Sequence, residues 1–398
     1  MERPDSVMPL AIGQTLNRSD PDAYTCELHT STTGPASWAK LFESAEAESD
    51  YYCTWVWFDN LAACGLQPEL KRLWLQMHHR SEGSILGLPL LLQPRSAAAL
   101  GGPAVTGLSN FYSSLYAPAG KTEALSTGAL RRALRELEAQ QVPCHVLDLQ
   151  PLESDGPFIT EMTSALRAEG YITYSYFCFG NWHLPVLGRS FAAYEETLPS
   201  RIKNTIKRGR KKLDGAGAWT LQVHRTPGAE MERGIEDFQT IYNKSWKSPE
   251  PFPHFVPNLC RRAAERGWLR LGVIRFGNTP IAAQLWLVKD GRALIYKLAY
   301  DEEYKRFSAG SVLSAELMRR AFDEDRVDDV DYLTGDDGYK RDWMSHRRER
   351  VGLLAFKRTS LRGLASAARH VAGLMWRKYR AKPVDPLSGA NAKDPTAE

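Results

Sequence analysis

The sequence predicts an α/β (α+β) protein with two halves, each a mixed, mostly antiparallel sheet flanked by helices. In the second half, β-rich runs at 269–275, 281–288 and 293–300 predict three strands. Gly277-Asn278 and Asp290-Gly291 join these runs, and both dipeptides are typical of hairpin turns. A helix and a further strand follow them. The first half repeats this order of elements in outline, which is consistent with an internal duplication.

The elements of the first half follow from its apolar patterns. A strand at 71–78 and an apolar strand at 85–92 come first. An amphipathic helix at 127–140, a strand at 145–149 and a helix at 159–169 come next. None of these strands is followed by a convincing glycine-containing phosphate loop. We therefore expect this half to bind substrate and to support the other half.

A phosphate-binding loop is predicted where the helix of the second half begins. The chain leaves the strand at 293–300 through a polar loop and enters the helix at Ser308, a good N-cap residue. Free backbone N–H groups and the positive end of the helix dipole meet there. The small Gly310 lets a ligand approach the backbone closely, and Lys305-Arg306 adds positive charge. This arrangement suits a pyrophosphate. A strand predicted at 327–333 returns beside the first.

The composition excludes several classes of protein. A formal net charge of +4 is small for 398 residues, so no surface for binding DNA is expected. The six cysteines form no CxxC pair and no Cys/His cluster at zinc spacing, so we expect reduced thiols and no metal. No run of 18 apolar residues and no secretory apolar run are present, so we expect a cytoplasmic protein.

Several blocks of the second half resemble the GNAT acyltransferase superfamily. They are Tyr300-Asp301 before the polar loop, the Phe-Ser-Ala-Gly-Ser-Val-Leu run at 307–313, and the Gly-Asp-Asp-Gly-Tyr-Lys run at 335–340 with Trp343 after it. A basic block at 198–213 resembles the helix that precedes the catalytic half in one group of this superfamily. That group is the double-GNAT group related to BioF2-like, CelD-type and FemAB-type proteins. The resemblance implies two tandem GNAT-like domains.

The resemblance also implies a division of the chain. We expect a mobile segment at 1–45 and an N-terminal GNAT-like half at 46–190, which binds substrate or supports the fold. A catalytic GNAT-like half is expected at 191–355. A basic amphipathic helix at 356–382 and a disordered tail at 383–398 complete the chain.

Acyl-CoA is the acyl donor that the resemblance implies. Ordinary GNAT enzymes carry Gln or Arg, two residues, Gly, one residue, and Gly or Ala at the pyrophosphate site. Phe307, Gly310 and Val312 occupy those places here, which is a departure from the pattern. The residues expected to hold the donor are Arg306, Ser308, Ala309, Gly310, Ser311 and Val312.

Four residues after the returning strand are the candidate catalytic groups. Asp336 or Asp337 would accept the proton of the acceptor amine. Tyr339 would protonate the leaving sulfur, and Lys340 would stabilise an oxyanion or bind donor phosphate. The Tyr-Lys pair matches a recurring element of the FemAB-like group. Other interpretations stay open: a solvated Asp-Asp-Gly turn for the carboxylates, and an aromatic anchor beside a surface amine for Tyr339 and Lys340.

The acceptor is expected to contact Gln284, Tyr296 and Trp182. Gln284 lies on an apolar strand and needs a hydrogen-bond partner, which is either substrate or backbone. Trp182 either lines the acceptor cleft or packs in the core. His183 and His254 stay open as alternative general bases.

Two basic segments have competing interpretations. The helix at 201–212 carries seven Lys or Arg residues and no acid, while Ile202, Ile206 and Leu213 form one apolar stripe. Its basic face is either solvated or binds the CoA 3′-phosphate, an anionic acceptor or tRNA. The segment 357–382 carries eight Lys or Arg residues and no acid, opposite an apolar face. It either packs on the domain or contacts the inner face of a membrane.

The function implied by the resemblance is that of a bacterial N-acyltransferase. It would move an acyl group from acyl-CoA to an amine, such as that of an amino sugar or of a polysaccharide or envelope precursor. A Fem-like enzyme would instead use aminoacyl-tRNA, which is less favoured because no long coiled-coil arm is visible. A non-catalytic GNAT-like scaffold of a polysaccharide biosynthesis system, or an enzyme that acylates a protein side chain, also fits the sequence.

Overall fold

A single mixed β-sheet runs through the chain. The computed structural model describes residues 18–36, 38–39, 50–81, 85–120 and 124–380. The sheet is built from thirteen strands of these residues: β1 (Tyr24–Thr30), β2 (Lys71–His79), β3 (Ile85–Gln93), β4 (Ala104–Gly107), β5 (Ala119–Gly120), β6 (Val146–Glu153), β7 (Tyr171–Pro185), β8 (Trp219–His224), β9 (Leu269–Phe276), β10 (Thr279–Lys289), β11 (Arg292–Tyr300), β12 (Asp329–Asp331) and β13 (His346–Lys357).

The spatial order of the strands is β1-β2-β3-β4-β6-β13-β7-β12-β11-β10-β9-β8, with β5 beside β3. Two neighbouring pairs are parallel, β4 with β6 and β11 with β12, and the other pairs are antiparallel. The predicted α/β (α+β) class with a mixed, mostly antiparallel sheet is therefore confirmed.

Ten α-helices are described alongside the sheet, and none of them is long and apolar enough to cross a membrane. They are α1 (Trp55–Cys64), α2 (Thr127–Ala139), α3 (Pro157–Ala168), α4 (Phe191–Thr197), α5 (Ser200–Ala216), α6 (Ala229–Lys244), α7 (Phe255–Glu265), α8 (Ala309–Asp323), α9 (Gly338–Trp343) and α10 (Leu361–Arg380).

Turn chemistry explains the hairpins of the second half. Asp290 and Gly291 both have positive φ, 45° and 71°, as a two-residue turn between twisted strands requires. The strand predicted at 327–333 is shorter than expected, because only Asp329–Asp331 pairs with neighbours. The Asp331 carboxylate accepts the Leu333 N–H at 2.7 Å, and Leu333 takes a φ of 57°, so the chain turns away from the sheet.

Part of the predicted mobile segment 1–45 is ordered, which corrects that prediction. Tyr24–Thr30 forms β1 and pairs with β2 along all seven of its residues. Tyr24, Cys26 and Leu28 alternate along the strand and pack on the core, which gives the segment an apolar side to bury. The predicted tail 383–398 lies outside the described residues.

The two halves exchange strands at the middle of the sheet. β13, which comes from the end of the second half, lies between β6 and β7 of the first half. In turn, the last residues of β7, including His183, pair with β12 of the second half. β13 pairs with β7 from His346 to Lys357 and with β6 from Arg350 onward, and a register shift in its pairing with β7 falls between Arg350 and Val351. Separating the halves would therefore break backbone ladders on both sides of β13.

Candidate functional site

The parallel pairing of β11 and β12 stops early and leaves a cavity between the two strands. Pairing begins where Arg292 meets Asp329 and ends where Leu294 meets Asp331. The residues that continue both strands line a cavity of 320 Å³, which we call the site cavity. This volume lies at the lower end of the range for small-molecule sites, about 300–1,000 Å³. Its titratable lining residues are Tyr112, Lys247, Tyr296, Lys297, Tyr332, Asp337, Tyr339 and Lys340.

Three of the four candidate catalytic residues line the site cavity. The ammonium of Lys340 is buried, donates to the Tyr332, Thr334 and Gly335 carbonyls, and lies 3.3 Å from the Asp337 carboxylate. Burial lowers the pKa of Lys340. The N–H groups of Lys340 are already engaged by these carbonyls. In this structure Lys340 therefore holds the loop from Tyr332 to Gly335 in place. Its predicted contact with an oxyanion or phosphate stays a prediction.

Tyr339 lines the same cavity. Its ring packs edge-to-face against Tyr332, with the centroids 5.7 Å apart. Desolvation raises the pKa of Tyr339, so the phenol keeps its proton at neutral pH. A protonated phenol at this position meets the requirement for a proton donor to a leaving group.

Asp336 and Trp182 lie outside the site cavity. Both Asp336 oxygens accept hydrogen bonds from Arg347, the shortest at 2.7 Å, and the Trp182 indole N–H donates to the same carboxylate at 2.7 Å. The hydrogen bond from Arg347 holds the pKa of Asp336 below its usual value. A carboxylate that is held in this way is a weak base. Asp337 is the member of the predicted pair that faces the cavity.

Several residues that the sequence did not single out complete the cavity. The Lys247 ammonium donates to the Leu298 carbonyl at 2.6 Å, and Lys297 forms an ion pair of 2.5 Å with Glu250. The Tyr112 hydroxyl, from the first half, donates to the other Glu250 oxygen at 2.6 Å. Burial, together with the nearby Lys297 charge, lowers the pKa of Lys247 to about 8.

One sequence signal for these residues was available. After Arg292 at its first position, β11 is apolar and aromatic except for Lys297, and a charge there needs a partner or a functional site. Lys247 and Glu250 follow the end of α6 in an irregular segment, and no local pattern marks them. Their role depends on contacts between segments that are distant in the sequence.

A second, smaller cavity lies at the start of α8. It has a volume of 200 Å³ and is lined by Tyr300, Tyr304, Lys305 and residues 308–311, and we call it the helix-start cavity. Ser308 precedes the helix with a φ of 50° and makes no side-chain cap, so it leaves the first helical N–H groups uncapped. A Cβ added to Gly310 would meet only the Tyr300 ring, at 3.6 Å. This geometry leaves room for an anionic group beside the backbone.

Four of the six residues predicted to hold the donor line this cavity, namely Ser308, Ala309, Gly310 and Ser311. The other two do not. The Arg306 guanidinium stacks on the Phe307 ring at 4.8 Å, and Val312 is fully buried in the core of the second half. Val312 therefore packs α8 on the sheet, because its position in the first turn faces the core.

Comparison with known proteins agrees with this geometry. The family model described as "Acetyltransferase (GNAT) domain" matches residues 200–341, which contain both β11 and α8. The segment 200–341, which we call the GNAT domain, matches this family. The predicted resemblance is thereby confirmed, and the site cavity and helix-start cavity both lie within or against the GNAT domain. No curated protein matches the chain.

Solved structures share the fold of most of the chain. FemX is 10% identical with a TM-score of 0.55, and the match covers 83% of this chain and 97% of FemX. The C-terminal domain (DUF2156) of a putative lysylphosphatidylglycerol synthetase from Agrobacterium fabrum is 11% identical with a TM-score of 0.51, covering 84% and 96%. A protein of unknown function from Bacteroides thetaiotaomicron VPI-5482 is 10% identical with a TM-score of 0.52, covering 83% and 100%. At these identities the likeness is one of fold, and it extends over both halves.

The basic helix α5 of the GNAT domain lies beside the helix-start cavity. Its predicted apolar stripe is confirmed, since Ile202, Ile206 and Leu213 are buried. On the same helix, Lys212 donates to the Arg306 carbonyl at 3.0 Å and so contacts the loop that leads into α8. The basic face of α5 is therefore adjacent to the start of α8.

Gly209 sets the distance between α5 and the loop before α8. A Cβ at this position would lie 2.6 Å from the Phe307 carbonyl oxygen and 2.9 Å from the Val312 side chain. We expect Gly209→Ala to lower the free energy of unfolding by about 1–3 kcal/mol, because the backbone of the loop must move. Urea denaturation measures the change.

Gly215→Ala is the matched control, since Gly215 lies on the same helix and an added Cβ meets nothing within 4 Å. We expect the control to leave stability unchanged or to raise it by about 0.5–1 kcal/mol through helix propensity. Equal stabilities of the two variants would contradict the close approach at Gly209.

Gln284 does not line the site cavity, although Tyr296 does. The Gln284 side chain is buried, donates to the Gly310 carbonyl at 3.0 Å and to the Ser314 hydroxyl at 2.7 Å, and accepts the Trp286 indole N–H at 2.9 Å. Of the two interpretations of Gln284, the geometry favours the hydrogen bond to backbone. The side chain fixes the start of α8 on β10. The sequence left substrate and backbone both open, because the partner of an isolated buried amide is not visible in the sequence.

Metal ligands are not clustered in the described residues. No group of three or more His, Cys, Asp or Glu side chains there could hold a metal ion. The titratable side chains that line the site cavity are instead amines, phenols and one carboxylate. These groups can transfer protons and bind anions.

Proposed function

We propose that the chain is an N-acyltransferase that moves an acyl group from acyl-CoA to an amine, such as that of an amino sugar or of a polysaccharide or envelope precursor. The observation that carries the proposal is the alignment of two cavities along β11. Tyr300 lines the helix-start cavity, and Leu298, two residues earlier on the same strand, lines the site cavity. The ring of Tyr300 packs against that of Trp246, which lines the site cavity, at 4.7 Å. A donor anchored at α8 would thus reach the site cavity along one strand.

The donor would be held by its phosphates. Uncapped N–H groups at Ala309 and Gly310 and the positive end of the α8 dipole favour a pyrophosphate, with Lys305 adding charge. The exposed basic residues of α5, on the neighbouring helix, are suited to the 3′-phosphate. These contacts replace the Gln/Arg-x-x-Gly-x-Gly/Ala pattern that this chain lacks.

The reaction would proceed by direct attack. The amine nitrogen of the acceptor attacks the thioester carbonyl carbon, a C–N bond forms, and the C–S bond breaks. Lys247 in its neutral form takes the proton of the amine, because its pKa of about 8 leaves part of the population neutral near pH 7. Tyr339 gives a proton to the leaving sulfur. Asp337, which faces the same cavity, is the second candidate for the base.

Binding of acyl-CoA is the first test. We expect Gly310→Glu to reduce acyl-CoA affinity at least tenfold in isothermal titration calorimetry, because the new carboxylate would occupy the phosphate position. We expect the wild type to bind acyl-CoA, and its affinity is measured with acetyl-CoA and with a long-chain acyl-CoA. Unaltered affinity of Gly310→Glu would remove the helix-start cavity as the donor site.

Gly373→Glu serves as the control for the added charge, since Gly373 lies on α10 and an added Cβ meets nothing within 4 Å. We expect this variant to bind acyl-CoA as the wild type does. Failure of the wild type to bind any acyl-CoA would contradict the proposed donor and favour either a non-catalytic scaffold or the candidate that follows.

A Fem-like transferase that uses aminoacyl-tRNA is the second candidate. The observation in its favour is the basic face of α5, where Lys207, Arg208 and Lys211 are exposed beside the helix-start cavity. Binding to a nucleic-acid backbone would weaken steeply as salt is added. Salt-sensitive tRNA binding by the wild type, together with no acyl-CoA binding, would select this candidate.

A further inference from the structure

Helix α10 packs on the rest of the protein through its smallest residues. Gly363, Ser366 and Ala367 are buried where α10 contacts β13 and the turn Ala97–Ala99 of the first half. A Cβ at Gly363 would lie 2.3 Å from the Lys357 carbonyl oxygen, so the helix approaches the chain before it closely. Along 363–367 the inward face of α10 is therefore narrow and made of small side chains.

The outward face of α10 carries the large apolar side chains. Leu361 is 87% exposed, Met375 67% and Tyr379 85%. At 100° per residue these three side chains lie within about 40° of one another and about 80–160° around the helix from Gly363 and Ala367. The remaining exposed large apolar residues of α10 are Leu364, Leu374 and Trp376. The apolar face noted in the sequence thus points away from the domain, which the simple account of a packed C-terminal helix does not explain.

Charge indicates what covers this face. The segment 357–382 contains eight Lys or Arg residues and no Asp or Glu. Two copies of α10 placed face to face would bring these positive charges together, which opposes self-association through the helix. An anionic lipid surface offers both a negative charge and an apolar layer into which the side chains can insert.

We propose that α10 docks the protein on an anionic lipid surface. The helix lies in the plane of the interface, with Leu361, Met375 and Tyr379 inserted at the level of the acyl boundary. The positive charge of the segment 357–382 is attracted by lipid phosphates. The inference does not depend on the proposed acyl transfer, because α10 lies outside residues 200–341.

The test is co-sedimentation of the full chain with lipid vesicles. We expect binding to vesicles of phosphatidylglycerol and phosphatidylcholine, weaker binding to phosphatidylcholine alone, and release as salt is raised. The double variant Met375→Ser/Tyr379→Ser should lose binding at least tenfold, since it removes apolar surface without changing charge.

Leu187→Ser is the control, because Leu187 is a large apolar residue that is 80% exposed on another part of the molecule. It should bind vesicles as the wild type does. Circular dichroism and thermal melting of each variant check that the fold is retained.

Three results would overturn the proposal. One is the absence of wild-type binding to anionic vesicles at low salt. The other is a dimer, measured by light scattering, that Met375→Ser/Tyr379→Ser dissociates, because it would assign the outward face to a second copy. Equal sedimentation of the wild type and the double variant would likewise remove α10 as the docking element.

Discussion

Replacing Asp331 with alanine should lower the free energy of unfolding by about 3–5 kcal/mol, the largest stability effect we expect from a single substitution in this chain. Asp331 is 1% exposed and accepts hydrogen bonds from Asn181 at 2.6 Å and from the Leu333 N–H at 2.7 Å. It also forms ion pairs with Arg348 and Arg292. Removing the carboxylate leaves two guanidinium groups and an amide without their buried partner.

The position of Asp331 makes the loss global. Asn181 lies on β7 and Arg348 on β13, which are the strands that the two halves exchange. Arg292 on β11 forms a further ion pair with Asp50 of the first half. The same carboxylate thus connects the strands at the junction of the halves. We therefore expect the variant to unfold in one transition at lower urea, and not to release a single loop.

The effect should depend on pH in a defined direction. Burial opposes the charge on Asp331, but the Arg348 and Arg292 guanidinium groups outweigh burial and hold its pKa below the usual value. The stability that this depressed pKa contributes is complete above the unfolded pKa of about 3.9 and is lost as pH falls through the folded pKa. Urea denaturation of the wild type and Asp331→Ala at pH 7 and near pH 3 should show the difference between them narrowing at the acid end.

Asp336→Ala is the matched control. Asp336 lies in the loop that follows β12 and also pairs with an arginine, Arg347, but it is exposed to solvent. Its substitution should shift the urea midpoint little, as is usual for surface ion pairs. A loss at Asp331 no greater than that at Asp336 would show that the buried network does not hold the halves together.

Local sequence patterns predicted the parts of the fold that short-range chemistry determines. Asp290-Gly291 fixes a hairpin because both residues must take positive φ, and β10 and β11 pair as that turn requires. The start of α8 was predicted from Ser308 and Gly310, although the Ser308 side chain does not cap the helix. Its left-handed φ points the hydroxyl elsewhere, which no propensity at a single residue could indicate.

The strand exchange was not predictable in the same way. Neither β7 nor β13 is among the strands predicted from the sequence, and alternation of side chains says nothing about which strand lies beside another. The same limit explains the missed site residues. Lys247 and Tyr112 reach the site cavity from α6's end and from the first half, so their proximity is a consequence of packing between distant segments. Asp336 and Asp337 are adjacent in sequence, yet only Asp337 lines the cavity.

Replacing Lys247 with methionine should reduce kcat/KM for acyl transfer by roughly 100-fold or more, if Lys247 accepts the proton of the amine as proposed. The geometry supports this role. One N–H of Lys247 is engaged by the Leu298 carbonyl at 2.6 Å, which in the neutral amine leaves a lone pair free to face the cavity. Methionine retains much of the apolar volume, so the variant tests the amine itself and not the packing of its chain.

The dependence of the rate on pH separates a base from a structural contact. In the wild type, kcat/KM should rise with pH until about 8, where Lys247 becomes neutral. The acceptor should be an amine that is already neutral at the lowest pH used, such as an aniline, so that its own titration does not contribute. In Lys247→Met this rise of kcat/KM with pH should disappear. Lys71 is an exposed lysine on β2, and in the control variant Lys71→Met both the rate and the rise should be unchanged. A Lys247→Met enzyme that is slower but keeps the same rise with pH would assign the base to another group. Asp337→Asn would then be the variant to measure, because the Asp337 carboxylate faces the same cavity.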